Sequence, residues 1–265
     1  MARHATFINP KMSTLRQGTV HIGADLWLLS ESLFRIRLTL ERQRILKAII
    51  FDMDGLLLDT ERVCLEEFVQ TRRSFSLTDS PKTFLNCVGV DGANSRKIIE
   101  SSLNGQIDMG TFSREWDRRI ADRLRKAIPV KTGADQLLRI LHEKGHPLAV
   151  ATTTNTDTAI KHLNAAGLFK YLKSVIGGDK VARRKPDPEP YLKAAAVLGY
   201  PAENCIAFED SETGVRAAIA SGATTVQVPD LIPPTEEVKA LGHLIAKTLI
   251  EGATILGLVN QSDAN

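Results

Sequence analysis

From Lys47 onward the chain alternates short apolar bursts with longer amphipathic stretches. The bursts are Ala48-Ile49-Ile50-Phe51, Leu148-Ala149-Val150-Ala151, Ser174-Val175-Ile176, Cys205-Ile206-Ala207-Phe208 and Thr224-Thr225-Val226-Gln227-Val228. Helix-like stretches lie between them at about 134–144, 156–166, 188–198 and 212–221, several closed by a glycine such as Gly145, Gly167, Gly199 or Gly222. Buried strands alternating with helices predict βαβ units, and hence an α/β fold: a Rossmann-like parallel sheet with helices on both faces.

One interval breaks this rhythm. Between about Glu61 and Val130 only helix-like segments occur, near 62–73, 94–104 and 111–127, with breaks at Ser80-Pro81, Asp91-Gly92 and Asn104-Gly105. The pattern predicts a small all-helical domain over 61–130, inserted after the first strand. The α/β core is then expected over 47–60 and 131–250, with a C-terminal tail over 251–265. Residues 1–46 read as an N-terminal extension, poorly ordered and without assigned function. Its first 24 residues include Arg3, Lys11 and Arg16 but no acid, a pattern shared by transit peptides, disordered arms and starts assigned too early.

Parallel sheets covered by helices collect ligands outside the carboxyl ends of their strands. The first burst runs straight into Asp52, the second into Thr152 and the fourth into Glu209-Asp210, so these groups are expected along one edge of the sheet. Asp52 and Asp54 stand two residues apart and would share a side if the chain stayed extended, after which Gly55 lets it turn away. Taken alone, such a pair also reads as a turn or helix cap. Two carboxylates this close repel unless a cation sits beside them. Mg²⁺ suits the place, since it takes one or two carboxylates together with water and phosphate oxygens. Glu209 and Asp210 would add oxygens from another strand end.

Composition changes the picture little. Across 265 residues, 43% hydrophobic and 25% charged, Lys plus Arg number 34 against 31 Asp plus Glu, too even a balance to call for nucleic acid. The Arg-rich run Trp116–Lys126 interleaves Asp117 and Asp122 and follows Glu115, which reads as a solvated helix face. Cys64, Cys87 and Cys205 lie far apart and form no metal or disulfide pattern, consistent with a cytoplasmic protein. No run approaches the roughly 18 apolar residues of a membrane span. The balance suits a small anionic molecule as partner, with neither nucleic acid nor membrane expected.

The stretch Asp52-Met53-Asp54-Gly55-Leu56-Leu57-Leu58-Asp59-Thr60 closely resembles the first motif of the haloacid dehalogenase-like hydrolases, in the phosphatase and β-phosphoglucomutase-like branch whose helical cap follows that motif. Thr152 matches the second motif, Lys185-Pro186-Asp187-Pro188 the third and Glu209-Asp210-Ser211-Glu212-Thr213-Gly214 the fourth, so the resemblance covers about 47–230 in four ordered pieces.

The resemblance implies a phosphatase acting on a small phosphorylated metabolite, in which Asp52 attacks phosphorus to form an aspartyl-phosphate. Asp54 would protonate the leaving alkoxide and then take a proton from the attacking water. Thr152, with Thr153 and Asn155 at the entry to the next helix, would bind the phosphoryl oxygens. Lys185 would place positive charge on the nucleophile and the phosphoryl group. Asp52, Asp54, Glu209 and Asp210 would hold Mg²⁺.

The chain also departs from the family pattern. The mutases carry a histidine at the position of Cys64 and an arginine in the cap stretch that corresponds to Gly89–Asn94, and this chain has neither. Both losses favour plain hydrolysis over phosphosugar mutase chemistry. Arg184 stands where a glycine is usual, either as an extra cation near phosphate or pointing to solvent, and Lys131-Thr132-Gly133 lacks a frequent proline. Dehalogenase chemistry, which works without metal or a second acid, fits poorly with Asp54 and Glu209-Asp210. A catalytically silent binding module would usually have lost one of these groups. The six histidines form no metal-binding pattern.

Overall fold

The computed structural model describes residues 47–260, apart from 79, 89 and 91, together with residue 263. The extension 1–46 lies outside the described residues. Six strands, β1 (Ala48–Phe51), β2 (Leu148–Ala151), β3 (Ser174–Ile176), β4 (Cys205–Glu209), β5 (Thr224–Gln227) and β6 (Leu244–Ile245), form one sheet in the order β3-β2-β1-β4-β5-β6. Every pairing is parallel. β1 and β4 lie side by side at the centre, in register from Ala48 opposite Cys205 to Phe51 opposite Phe208.

Successive residues of a strand face opposite sides of the sheet, and β1 feeds two cores accordingly. Ile49 and Phe51 belong to one apolar cluster with Leu137, Leu138 and Leu141 of α5 (Ala134–Glu143) and Leu163 of α6 (Thr156–Ala165). Ala48 and Ile50 belong to the other, with Tyr191 and Ala194 of α7 (Glu189–Leu198) and Ala217 of α8 (Glu212–Ala220). Each fully buried leucine on α5 contributes roughly 1.5–3 kcal/mol by leaving water. Both faces are thus covered, as the apolar bursts predict.

Among the described residues, the regular elements from Thr60 to Lys126 are all helices: α1 (Thr60–Ser74), α2 (Pro81–Leu85), α3 (Gly92–Ser102) and α4 (Met109–Lys126). These helices share their own apolar cluster, with Phe68, Phe84, Leu103 and Phe112 buried. Trp116 meets Phe68 edge-on at 5.3 Å. Buried Arg72 ties α1 to its surroundings by bonding the Thr78 carbonyl and Ser102. Two chain crossings join this segment to the sheet and are bound to each other: Asp59 N–H donates to Pro129 O at 2.9 Å and Lys131 N–H to Leu57 O at 2.9 Å. The Arg-rich helix α4 pairs Arg118 with its own Glu115 and Asp122, and Arg123 with Glu66 and Glu67 of α1. Among the described residues no helix is long and apolar enough to cross a membrane.

Three features differ from the pattern expected of the sequence. The break at Ser80-Pro81 starts the short helix α2, because proline is well tolerated in a first helical turn, where its missing N–H costs nothing. β6 spans two residues, too short to leave a periodic signal. Packed structure also continues past residue 250: α10 (Leu249–Ile255) buries Leu249 and Ala253, and Leu258 and Val259 beyond it join the same core. The four-residue helix α9 (Glu236–Lys239) precedes β6.

Candidate active site

β1 runs into Asp52, whose backbone N–H continues the ladder by donating to Phe208 O at 2.9 Å. The side chain therefore leaves the sheet from a rigid base and is 11% exposed. β4, the neighbouring strand, ends in fully buried Glu209 and then Asp210. One carboxylate oxygen from each of Asp52, Glu209 and Asp210 lies within 4.8 Å of the other two.

Lys185 arrives from the loop between β3 and α7. Glu189, in the first turn of α7, clamps that loop by accepting from Ala182 N–H and Arg183 N–H, both at 2.9 Å. Asp187 accepts from Glu189 N–H at 2.9 Å, and the Lys185–Pro186 peptide bond is cis. The Lys185 ammonium, with its side chain 3% exposed, donates to Asp52 Oδ1 and Glu209 Oε1 at 2.5 Å each. Tyr191 OH donates to the same Glu209 oxygen at 2.5 Å, and its ring lies 5.0 Å below the ammonium. Glu209 Oε2 accepts from the N–H groups of Asp210 and Ser211 and from Ser211 Oγ.

Asp54 is held differently. Its Oδ1 accepts from Thr60 Oγ1 at 2.7 Å, and its Oδ2 from Thr154 Oγ1 at 2.8 Å and Thr152 Oγ1 at 3.3 Å. Thr152, 2% exposed, also takes Thr154 N–H on its hydroxyl at 3.1 Å. The two acids of the first motif, expected to flank one cation, thus have different partners: Asp52 meets ammonium and carboxylates, whereas Asp54 sits in a ring of hydroxyls.

Glycine enters here for two reasons. Gly55 turns the chain at φ +88°, and a Cβ on it would collide with the Asp210 carboxylate. At Gly214, a Cβ would collide with the Glu209 carboxylate.

Burial raises the Asp52 carboxyl to about 8, against the opposing pull of Lys185 and with help from the charges of Glu209 and Asp54. Burial and then the charges of Asp52 and Glu209 push Asp210 well above the usual carboxylate range. Burial works to lower Lys185, but Asp52 and Glu209 outweigh it and hold the ammonium above its ordinary value. One lysine among three buried carboxylates leaves the group short of positive charge, and an all-oxygen, carboxylate-rich cluster is the donor set that a hard divalent cation takes. The residues therefore fit a divalent metal.

Of the residues expected at the site, Asp52, Asp54, Thr152, Lys185, Glu209 and Asp210 come together. Thr153 and Asn155 are exposed on the loop into α6, where Asn155 is the N-cap residue. Thr60, Thr154 and Tyr191 were not singled out by sequence reasoning. Thr60 follows the motif aspartate directly and Thr154 lies two residues past Thr152, so both were within reach of a closer reading; Tyr191 carried no local signal. Arg184 is exposed, in keeping with a solvent-facing side chain. Cys64 is half-buried beside the site, and burial, with the charges of Asp54 and Glu61, pushes its thiol up to about 12.

A parallel sheet whose two central strands run into buried carboxylates, met by a lysine from the loop before α7, is the framework of a phosphoryl-transfer hydrolase, and sequence comparison identifies the class. The model of the haloacid dehalogenase-like hydrolase family matches residues 49–228, and the chain belongs to that family. It is 29% identical over 219 residues to the phosphorylated carbohydrates phosphatase of Thermotoga maritima, covering 82% of this chain and 99% of the relative. With (DL)-glycerol-3-phosphatase 2 of Arabidopsis thaliana it shares 32% identity over 192 residues, 69% of this chain and 79% of the relative. Among solved structures it is similar to a haloacid dehalogenase family hydrolase of Deinococcus radiodurans with bound phosphate and sodium, at 25% identity and TM-score 0.65, covering 76% of this chain and 90% of the other. It is also similar to CbbY of Rhodobacter sphaeroides in complex with xylulose-1,5-bisphosphate, at 26% identity and TM-score 0.58, over 77% of this chain and 94% of the other.

Proposed function

We propose that this chain is a Mg²⁺-dependent phosphatase that hydrolyses the phosphate monoester of a small metabolite through an aspartyl-phosphate on Asp52. The observation that carries the reading is the convergence of Asp52, Lys185, Glu209 and Asp210 on one oxygen-lined point at the end of the two central strands, with Asp54 alongside. The names of the relatives, phosphatases of phosphorylated carbohydrates and of glycerol 3-phosphate, support the same class.

An Asp52 carboxylate oxygen attacks phosphorus and the ester P–O bond breaks. Asp54 gives its proton to the departing alkoxide, which leaves as the alcohol. In the second step Asp54 takes a proton from water, the water oxygen attacks phosphorus, and the bond to Asp52 breaks to release phosphate. The Thr60, Thr152 and Thr154 hydroxyls orient Asp54 for both transfers. Lys185 offsets negative charge on Asp52 and on the phosphoryl oxygens, where a fixed cation in a buried site acts strongly. Asp52, Glu209 and Asp210 would hold Mg²⁺, which when bound would neutralise phosphoryl charge and keep Asp52 ionised. The helical segment 61–130 acts in this account as a cap that excludes water during the first step.

Replacing Asp52 by Asn tests the reading. The variant should keep its circular dichroism spectrum and lose turnover of p-nitrophenyl phosphate; turnover at the wild-type rate, with contaminating phosphatases excluded, overturns it. The cap lacks the arginine that mutases use and the position of their histidine is Cys64, so free phosphate, with no sugar bisphosphate intermediate, is the expected product.

A further inference from the structure

A cavity of about 290 Å³ adjoins the carboxylate cluster, and its lining among the described residues includes four acids, Glu61, Asp210, Glu212 and Asp230, but no lysine, arginine or histidine. Glu212 is offset by Arg216 at 2.8 Å, and Asp210 belongs to the cluster of Asp52 and Glu209. Glu61 has no ion pair among the described residues, and Asp230 is paired through one oxygen only. The Asp230 side chain is 3% exposed; its Oδ1 accepts from Lys131 Nζ at 2.5 Å, with Arg62 3.7 Å from the same oxygen. Its Oδ2 is buried without a hydrogen-bond partner, and so is Glu61 Oε2. One carboxylate oxygen from each of Glu61, Asp210 and Asp230 lies within 4.8 Å of the other two.

A buried carboxylate oxygen without a donor is costly until something supplies one. An occupant that brings hydrogen-bond donors, and preferably positive charge, would therefore suit this acidic lining. The lining also includes apolar Val90, Leu231 and Ile232, which suit the carbon frame of an organic group better than a hydrated ion. Asp210 belongs to both carboxylate groups, so the occupant stands one side chain away from the reacting phosphoryl group.

We propose that Glu61 and Asp230 form a subsite for an ammonium group on the leaving alcohol, so that amino-alcohol phosphates are preferred and esters with a second anion at that place are rejected. The proposal rests on the phosphatase reading above and names its substrate class.

Three esters on one two-carbon frame test it: phosphoethanolamine, 2-hydroxyethyl phosphate and phosphoglycolate, ending in an ammonium, a hydroxyl and a carboxylate. With Mg²⁺ present, kcat/KM should fall in that order, by at least about tenfold from first to last, the worth of one charge-assisted hydrogen bond. Glu61→Gln should shrink the gap, mainly by raising KM for phosphoethanolamine; Asp230→Asn should act in the same direction, and Glu61→Gln stands as the reference should Asp230→Asn lose stability with its Lys131 partner. Activity on p-nitrophenyl phosphate with phosphoglycolate hydrolysed as efficiently as phosphoethanolamine overturns the subsite while leaving the phosphatase reading intact. No activity on any ester, p-nitrophenyl phosphate included, removes both. Loss of a second Mg²⁺ ion per chain in Glu61→Gln, counted by calorimetry, with the order of the three esters unchanged, makes the cluster a metal site and overturns the proposal.

Discussion

The Lys185 ammonium stands 2.5 Å from Asp52 Oδ1 and, from the same nitrogen, 2.5 Å from Glu209 Oε1, so one buried cation holds together carboxylates from two strands. Removing it affects both rate and stability. Lys185→Met should lower kcat about 10²–10³-fold, the usual cost of losing one fixed charge-stabilising donor. It also strands buried charge, at about 3–5 kcal/mol. Thermal unfolding should show a lower Tm in metal-free buffer and partial recovery when Mg²⁺ is added. An unchanged Tm in both buffers would mean that Lys185 does not balance these acids.

Gly55 couples backbone strain to the cluster. Gly55→Ala adds about 1–2 kcal/mol for a side chain at positive φ, and its Cβ displaces the Asp210 carboxylate. Gly105→Ala is the control, since Gly105 has φ +67° and nothing within 4 Å of an added Cβ. Both variants should lose stability, but only Gly55→Ala should weaken Mg²⁺ activation, by roughly tenfold or more in the concentration needed, as expected when one ligand is misplaced.

Metal removal discriminates between the chemistries of the fold. A chelator should bring turnover to background and Mg²⁺ should restore it. Because Mg²⁺ would bind the folded chain, it should also raise stability by about 2.7 kcal/mol at one hundred times its Kd, measured as a shift in denaturant midpoint. Full activity in the chelator would show that the ester is hydrolysed without a divalent metal and would contradict the Mg²⁺ reading.

Much of this was legible in the chain because apolar bursts end abruptly in polar residues. Ile49-Ile50-Phe51 running into Asp52, and Ile206-Ala207-Phe208 into Glu209-Asp210, state where strands stop and which side chains stand at the sheet edge. Contacts between distant elements were not legible. Nothing local tells that Tyr191 turns its hydroxyl to Glu209, or that Asp230 pairs with Lys131, 99 residues away. Asp54 shows the limit of spacing arguments. Its distance from Asp52 in sequence suggested a shared cation, but the turn at Gly55 and three threonine hydroxyls give it a separate environment. Lys131-Thr132-Gly133 stood out in the sequence for a missing proline, whereas in the structure Lys131 is the partner of a buried acid.

The proposed reaction passes through a covalent link between phosphorus and Asp52. The most direct test is the stereochemistry of hydrolysis at a phosphorus made chiral by isotopic oxygen and sulfur, in isotopically labelled water. Each in-line displacement inverts phosphorus, so attack by Asp52 followed by attack by water predicts net retention. Net inversion would show water attacking the ester directly and would contradict the aspartyl-phosphate.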